Sequence, residues 1–132
     1  MLRPTILAAA ALLAGPAVAA DCSNATSQLA LDQCAAAELQ AADTTLNAAY
    51  QQILGRLRGD ADTARLLRAA QRAWLGFRDS ECAFAASAAT QGSIYPMLVA
   101  SCRAELTRQR AEQLGSYLHC AEGDMGCPVP AP

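Results

Sequence analysis

The chain has 132 residues and a formal net charge of −2 at pH 7, and every basic residue is an arginine. This length suits one domain and is short for two. The weakly acidic balance argues against nucleic acid, which needs a basic surface, and against an anionic membrane surface. Hydrophobic residues make up 53% of the chain but aromatic residues only 5%, so we expect a thin, alanine-rich core.

Residues 1–20 have the pattern of a secretory signal peptide. A positive start at Arg3 precedes an apolar run over 5–13, and small residues lead up to Ala20. Cleavage near Ala20 would leave Asp21 as the first residue and a net charge of −3. No later stretch approaches the ~20 apolar residues that span a bilayer. We therefore predict a periplasmic or secreted protein without stable membrane insertion.

All six cysteines lie after the predicted cleavage site. An even number of cysteines in an exported chain is typical of a disulfide framework. Each bridge would stabilise a thin core by about 2–4 kcal/mol. The six are Cys22, Cys34, Cys82, Cys102, Cys120 and Cys127.

Three segments have a helical period, and none has a convincing strand period. The first helix is predicted to begin after an N-cap at Thr26 or Ser27. It is predicted to end at Gly59, in the left-handed conformation of a C-cap glycine. The second helix is predicted to begin after Asp60 or Asp62, which also suit the helix dipole.

Short loops favour an antiparallel all-α bundle of about three helices stapled by disulfides. The second helix is predicted to reach about Ala89. The third is predicted to begin at an N-cap Ser93, with Pro96 in its first turn. The helical domain would then cover 21–118. Residues 119–132 form a Gly/Pro-rich tail that cannot continue a helix and is expected to be mobile.

The positions of the cysteines in this layout favour one of the fifteen possible pairings. Cys82 and Cys102 lie equally far from Gly92, so they face each other across an antiparallel hairpin. The segment that follows Cys22 can fold back far enough to bring it to Cys34. The two cysteines of the tail enclose a small loop. The predicted pairs are 22–34, 82–102 and 120–127.

The second helix carries the densest group of distinctive side chains. Trp74 and Phe77 are one turn apart and are predicted to mark its buried face. Gln71 and Arg78 share the side of Trp74, and Arg78 can stack on the indole ring. Gln71, Arg72 and Arg78 could form a binding patch, or the aromatic residues could be core and the arginines flanking ion-pair partners. The structural interpretation is favoured, because charged residues beside an apolar stripe usually serve packing.

A second cluster lies on one face of the first helix. Asp43, Asn47 and Tyr50 follow one another at four- and three-residue spacing. Asp43 is predicted to pair with Arg72 or Arg78 across the helix interface. Such a pair would fix the helix register more than it would add stability, because desolvation offsets most of the Coulomb gain.

Catalytic chemistry has no distinctive candidate, so we predict neither an enzyme nor a resident cofactor. His119 is the only histidine and lies at the end of the last helix. With Cys120, Met125 and Cys127 it would make a soft set of ligands for Cu(I). Oxidation after export favours the disulfide instead, so no metal is predicted.

The loop 87–96 is the predicted contact surface for a partner, through Gln91, Ser93 and Tyr95. It lies at an end of the bundle that the predicted 82–102 bridge would hold, so it would lose less entropy on docking. An ordinary helix connector is an equally compatible interpretation.

Motifs in all three helices resemble the lysozyme-inhibitor LprI-like N-terminal domain, a group formerly described as a domain of unknown function. The resemblance runs from about Cys22 to Leu118. It implies an exported, helical, disulfide-bonded domain and, through the namesake, inhibition of lysozyme-type muramidases. The chain departs from the family in lacking a lipoprotein signal and in having two cysteines beyond the family pattern. The motif residues are Asp43, Asn47, Tyr50, Gln71, Arg72, Trp74, Phe77, Arg78, Asp79, Cys82, Cys102, Thr107 and Arg110.

These observations lead to one preferred function and two alternatives. The preferred function is an exported binding protein that occludes the cleft of a cationic lysozyme-like hydrolase. The first alternative is an envelope interaction or stress module with another protein partner. The second is a small redox or copper-handling protein that uses the tail. The sequence does not specify the oligomeric state.

Overall fold

The computed structural model describes residues 21–132, so the predicted signal peptide and its cleavage site lie outside that range. The described part is all-helical and contains no strand, which confirms the predicted fold class. Its helices are α1 (Gln28–Arg56), α2 (Ala61–Ala85) and α3 (Tyr95–Tyr117), with single 3-10 turns at Cys22–Asn24 and Ser87–Ala89.

Consecutive helices run antiparallel, so α1 and α3 point in the same direction. Near their starts, the side-chain nitrogen of Gln28 lies 3.9 Å from the sulfur of Met97. Near their ends, Arg56 donates a 2.9 Å hydrogen bond to the carbonyl oxygen of Leu118. The most extensive packing joins α1 and α3, while α2 packs less extensively against α3.

Two predicted N-caps are confirmed. The hydroxyl of Ser27 accepts a hydrogen bond from the N–H of Ala30 at the start of α1. The carboxylate of Asp60 accepts one from the N–H of Thr63 at the start of α2. Each satisfies a backbone donor that the first turn of a helix leaves without a partner.

Two predicted helix ends were wrong. Helix α1 ends at Arg56, and the N–H of Leu57 bonds back into the last turn, so a left-handed glycine is not needed. Gly59 keeps a negative φ. Among the described residues only Gly123 has a positive φ, 78°, in the turn between the two tail cysteines. Helix α2 ends at Ala85, four residues earlier than predicted.

The predicted cap at Ser93 was also wrong. Ile94 occupies the N-cap position of α3, and no side chain caps this helix end. The backbone arrives there through consecutive tight turns, in which Gly92 donates to Ala89 and Tyr95 donates to Gly92. These turns leave no place for a hydroxyl cap. Pro96 lies in the first turn of α3 as expected.

The core lies mainly between α1 and α3. Leu46, Ile53 and Leu114 are its largest fully buried apolar side chains. Alanines such as Ala49 and Ala111 surround them and let the helix backbones approach closely, which is how a chain with few aromatic residues closes its interior. The buried cluster consists of Leu46, Ala49, Ile53, Leu57, Ala64, Ala111, Leu114, Leu118 and Val129.

All three predicted disulfide pairs are present. The Cα–Cα separations are 5.6 Å for Cys22–Cys34, 5.6 Å for Cys82–Cys102 and 6.2 Å for Cys120–Cys127. These separations lie within the usual range for a bridge. No cysteine of the described residues is free.

The C-terminal tail is packed against the bundle, which corrects the prediction that it is mobile. Val129 is only 7% exposed and joins the core cluster beside Leu57 and Leu118. Cys127 packs against the same cluster, so its bridge to Cys120 holds the tail over this end of the bundle. The reason is the hydrophobic effect: the bundle end exposes apolar surface, and Val129 covers it.

Replacing Val129 tests whether the tail belongs to the folded domain. Val129→Ala removes two buried methyl groups, so we expect the free energy of unfolding to fall by about 2 kcal/mol. Met125→Ala is the control, because Met125 lies in the same tail and is almost fully exposed. Urea denaturation of the two variants would show equal stability if the tail does not pack.

The cap at Asp60 predicts a specific dependence on pH. Hydrogen bonds from Thr63, its side chain first and its backbone N–H second, hold the pKa of Asp60 below its ordinary value. The stability that this charge contributes is therefore present above an ordinary aspartate pKa of about 3.9 and is lost as the pH falls through the lower, folded-state value.

Asp60→Asn keeps an equally good cap but removes this titration. We expect the variant to lose less stability than the parent protein when both are taken from pH 5 to pH 2, measured by thermal unfolding at low salt. An equal loss of stability in the variant and the parent protein would contradict the assignment of Asp60 as the cap.

Candidate functional site

The guanidinium of Arg78 joins all three helices. It extends from α2, and its side chain is 10% exposed. Its Nη1 donates to Asp43 Oδ1 of α1 at 3.0 Å and to Thr107 Oγ1 of α3 at 3.1 Å. Thr107 is completely buried. A single nitrogen therefore fixes the relative positions of α1, α2 and α3.

Two further ion pairs and an aromatic contact complete this junction. The Nε of Arg78 donates to Asp79 Oδ1 at 3.0 Å, and the Nε of Arg103 lies 3.2 Å from the same oxygen. The guanidinium carbon of Arg78 lies 5.3 Å from the centre of the Trp74 ring, which is a cation–π contact. The predicted stacking of Arg78 on Trp74 is thus confirmed.

A polar pair lies two turns earlier along the α2–α3 interface. The Oε1 of buried Gln71 accepts a 3.1 Å hydrogen bond from the Nε of Arg110. Burial lowers the pKa of Arg110, and the nearby Tyr117 partly opposes that shift. An arginine remains protonated in proteins, so Arg110 contributes a positive charge beside the core.

An open groove of about 430 Å³ runs along the other side of this network, between α1 and α2. We call it the α1–α2 groove. Several residues of the family motif line it, which their spacing alone did not predict. Its lining consists of Asp43, Leu46, Asn47, Tyr50, Arg68, Gln71, Arg72, Leu75 and Arg78.

Exposed apolar side chains gather at the opposite end of the molecule from the tail. Phe84 is 75% exposed near the end of α2, and Leu29 is 68% exposed in the first turn of α1. Ile94 and Leu98 are exposed at the start of α3. The contact between Gln28 and Met97 brings the starts of α1 and α3 together. We call these four side chains and the connector 86–94 the hairpin end.

The connector of the hairpin end is hydrogen-bonded to itself. The N–H of Ala89 donates to Ala86, and the hydroxyl of Thr90 donates to the carbonyl of Ser87 at 2.6 Å. The Cys82–Cys102 bridge ties the two helices just behind it. This end of the bundle is therefore preorganised, which reduces the entropy lost on binding.

The predicted partners of Asp43 are now resolved. Asp43 pairs with Arg78, whereas Arg72 lies exposed in the groove and forms no such pair. Arg78 thus makes the ion pairs that the structural interpretation predicts, and the roles of the other motif residues stay predictions. Asn47 and Tyr50 point to the groove and not to the network.

The predicted place of Phe77 in the core was wrong, since its side chain is 55% exposed. The buried stripe of α2 instead contains Ala64, Gln71 and Arg78, spaced seven residues apart, followed by Cys82. Phe77 precedes Arg78 by one residue and lies about 100° away around the helix. Because α2 packs through this narrow polar stripe, an aromatic residue beside it faces outward.

The predicted contact residues of the loop lie at the hairpin end. Gln91 and Ser93 are exposed, and Tyr95 is half-buried as the first residue of α3. Their role in binding stays a prediction. Sequence reasoning missed Phe84, because it lies outside the apolar stripe in a segment whose alanines indicated an ordinary helix end.

The soft-ligand set of the tail is not assembled as a metal site. Cys120 and Cys127 are bonded to each other, and Met125 projects into solvent. Between residues 21 and 132, no group of three or more His, Cys, Asp or Glu side chains is placed to hold a metal ion. Nor is any helix in this range long and apolar enough to cross a membrane.

The family model of the lysozyme inhibitor LprI matches residues 19–114. The chain belongs to the lysozyme inhibitor LprI family. This match confirms the resemblance drawn from the motifs. It covers all of α1 and α2 and most of α3, and it leaves out the tail that contributes Val129 to the core.

Two known proteins extend the comparison within the family. An uncharacterized protein of Rhizobium meliloti (strain 1021) is 41% identical in an alignment of 113 residues that covers 77% of this chain and 81% of that protein. A DUF1311 family protein from Pseudomonas putida KT2440 has a crystal structure with a TM-score of 0.62 and 30% identity. That match covers 69% of this chain and 92% of the other.

Removing Arg78 tests the three-helix junction. Arg78→Met keeps much of the side-chain volume but leaves Asp43 and Thr107 without their shared donor. Asp43 is 40% exposed, so solvent relieves part of the cost, and we expect a loss of about 2–3 kcal/mol.

Arg65→Met is the matched control, because Arg65 is an exposed arginine of the same helix that pairs only with Asp62. Its expected change lies within about 0.5 kcal/mol. Equal effects of the two substitutions in urea denaturation would contradict the role assigned to Arg78.

Proposed function

We propose that this protein is an exported inhibitor that occludes the cleft of a lysozyme-like hydrolase with its hairpin end. Membership of the family supports the inhibitor class and a protein partner. Three disulfides support an extracytoplasmic location, since bridges persist in oxidising compartments.

The observation that carries the proposal is the exposed apolar surface on a rigid end. Phe84 and Ile94 flank the connector in the chain, Leu98 lies one turn into α3, and all three are exposed apolar side chains. Leu29 is exposed at the start of α1, at the same end of the bundle. Exposed apolar clusters on small soluble proteins usually mark interaction sites, and aromatic residues dominate binding energy there.

The charge distribution fits insertion into a cleft. The connector 86–94 contains no charged residue, so its burial against a partner would not bury an unpaired charge. The rest of the chain supplies a net charge of −3 without residues 1–20. The electrostatic field of this negative charge accelerates the approach of a cationic hydrolase, and the uncharged connector then makes the contact.

Cell-wall turbidity assays with the oxidised protein test this proposal. We expect micromolar protein to slow lysis by at least one c-, g- or phage-type lysozyme. Phe84→Ser should weaken inhibition at least tenfold, because it removes the most exposed aromatic anchor at the hairpin end.

Leu66→Ser is the matched control, since Leu66 is 60% exposed on the same helix but far from the hairpin end. It should leave inhibition unchanged. Undiminished lysis with all three enzyme classes would refute the proposal. Cross-linking of the hairpin end to a different envelope protein would then favour the alternative of an interaction module.

A further inference from the structure

The α1–α2 groove contains polar side chains that the fold does not use. The side chains of Asn47, Tyr50, Arg68 and Arg72 make no hydrogen bond or ion pair with any residue in the range 21–132. Asn47, Arg68 and Arg72 are exposed, so water satisfies them in the free protein and a ligand would replace that water. Here they line one groove, beside a rigid hydrogen-bonded junction.

The two groove arginines also have no carboxylate partner in the described part of the chain. Arg65 and Arg108 each pair with a carboxylate one turn away along the same helix. Arg68 and Arg72 have no acidic residue three or four positions away on either side. They are instead four residues apart, so two like charges share one helix face, which destabilises the helix unless an anion lies between them.

The groove is therefore positive on a protein that is negative overall. The nearby charge of Arg78 is balanced by Asp43 and Asp79. The charges of Arg68 and Arg72 are not balanced in this way. A guanidinium presents paired N–H donors that match a carboxylate, so the groove has the charge and geometry to select an anion that bears one.

The neutral groups narrow the class of ligand. The amide of Asn47 and the phenol of Tyr50 can each donate and accept hydrogen bonds, as a ring hydroxyl also does. An inorganic anion that only accepts hydrogen bonds would give the acceptor oxygens of Asn47 and Tyr50 no donor. Leu75, which is partly exposed at the same groove, offers an apolar surface for the C–H face of a ring.

We propose that the α1–α2 groove binds a small acidic saccharide. Its carboxylate would lie between Arg68 and Arg72, and its hydroxyls would meet Asn47 and Tyr50. A groove of about 430 Å³ has the size of small-molecule sites in general. This site does not depend on the hairpin end, because Arg72 and Phe84 are twelve residues apart on α2, or about 18 Å.

Calorimetric titration with a matched pair of sugars tests the proposal. N-acetylmuramic acid carries a lactyl carboxylate, and N-acetylglucosamine lacks it. We expect the acid to bind at least tenfold more tightly than the neutral sugar. Amide signals of Asn47 in an NMR titration should shift with the acid and saturate at the calorimetric Kd.

Substitutions within the groove identify the site. Arg68→Gln and Arg72→Gln should each weaken binding of the acid about tenfold. Neither should lower the melting temperature, because both side chains are exposed and each substitution removes a like-charge repulsion. Arg65→Gln, outside the groove, should keep the affinity of the parent protein. Inhibition of lysis should be unchanged in all three variants, which separates this proposal from the proposed function.

Several outcomes would overturn the inference. One is equal affinity for the acidic and the neutral sugar, and another is no binding of either at millimolar concentration. Inorganic phosphate competing as well as the sugar acid would indicate a site for any anion. Tighter binding of an acidic tripeptide would indicate a peptide site instead.

Discussion

The arrangement of the helices depends on the single guanidinium of Arg78. The buried core consists mainly of alanines and leucines, and half of the buried stripe of α2 is polar. Small side chains interdigitate little, so apolar packing alone would leave the register of α2 weakly defined. Hydrogen bonds are directional, and those from Arg78 to Asp43 and Thr107 specify one position for each helix. The junction therefore supplies specificity that the thin core lacks, and burial of its charge limits its net contribution to stability.

Disulfides fix the parts of the molecule that this junction does not reach. Cys22–Cys34 holds the segment before α1, and Cys82–Cys102 ties α2 to α3 behind the connector. At the other end, Cys120–Cys127 keeps the tail in place over the core. The hairpin end would otherwise fray, since its buried apolar residues are small, such as Ala86. The rigidity that a docking surface needs thus comes from covalent links at the ends and from one charge network in the middle.

The local features of this fold could be predicted from the sequence, and the tertiary ones only in part. The caps at Ser27 and Asp60 depend only on the first turn of each helix. The Cys82–Cys102 pair follows because the two cysteines are equally far along the chain from Gly92. The exposure of Phe77 could not be predicted, because it depends on which face α2 turns to α1 and α3. The stripe that contains Gln71 and Arg78 is the one that packs inward, although aromatic residues usually prefer buried positions. Val129 likewise joins the core only because the bundle end leaves apolar surface uncovered.

The same reasoning explains why the motif residues of α2 divide between two roles. Gln71 and Arg78 lie seven residues apart and share the buried stripe, although they also border the groove. The motif residue Arg72 and its neighbour Arg68, which is not a motif residue, are exposed along the groove. A helix that packs through a narrow stripe leaves its flanks open to solvent. One flank of α2 is cationic and polar. The C-terminal end of α2, at Phe84, is apolar and lies next to an uncharged connector. The chemistry of the two surfaces differs, which is why we propose a different partner for each.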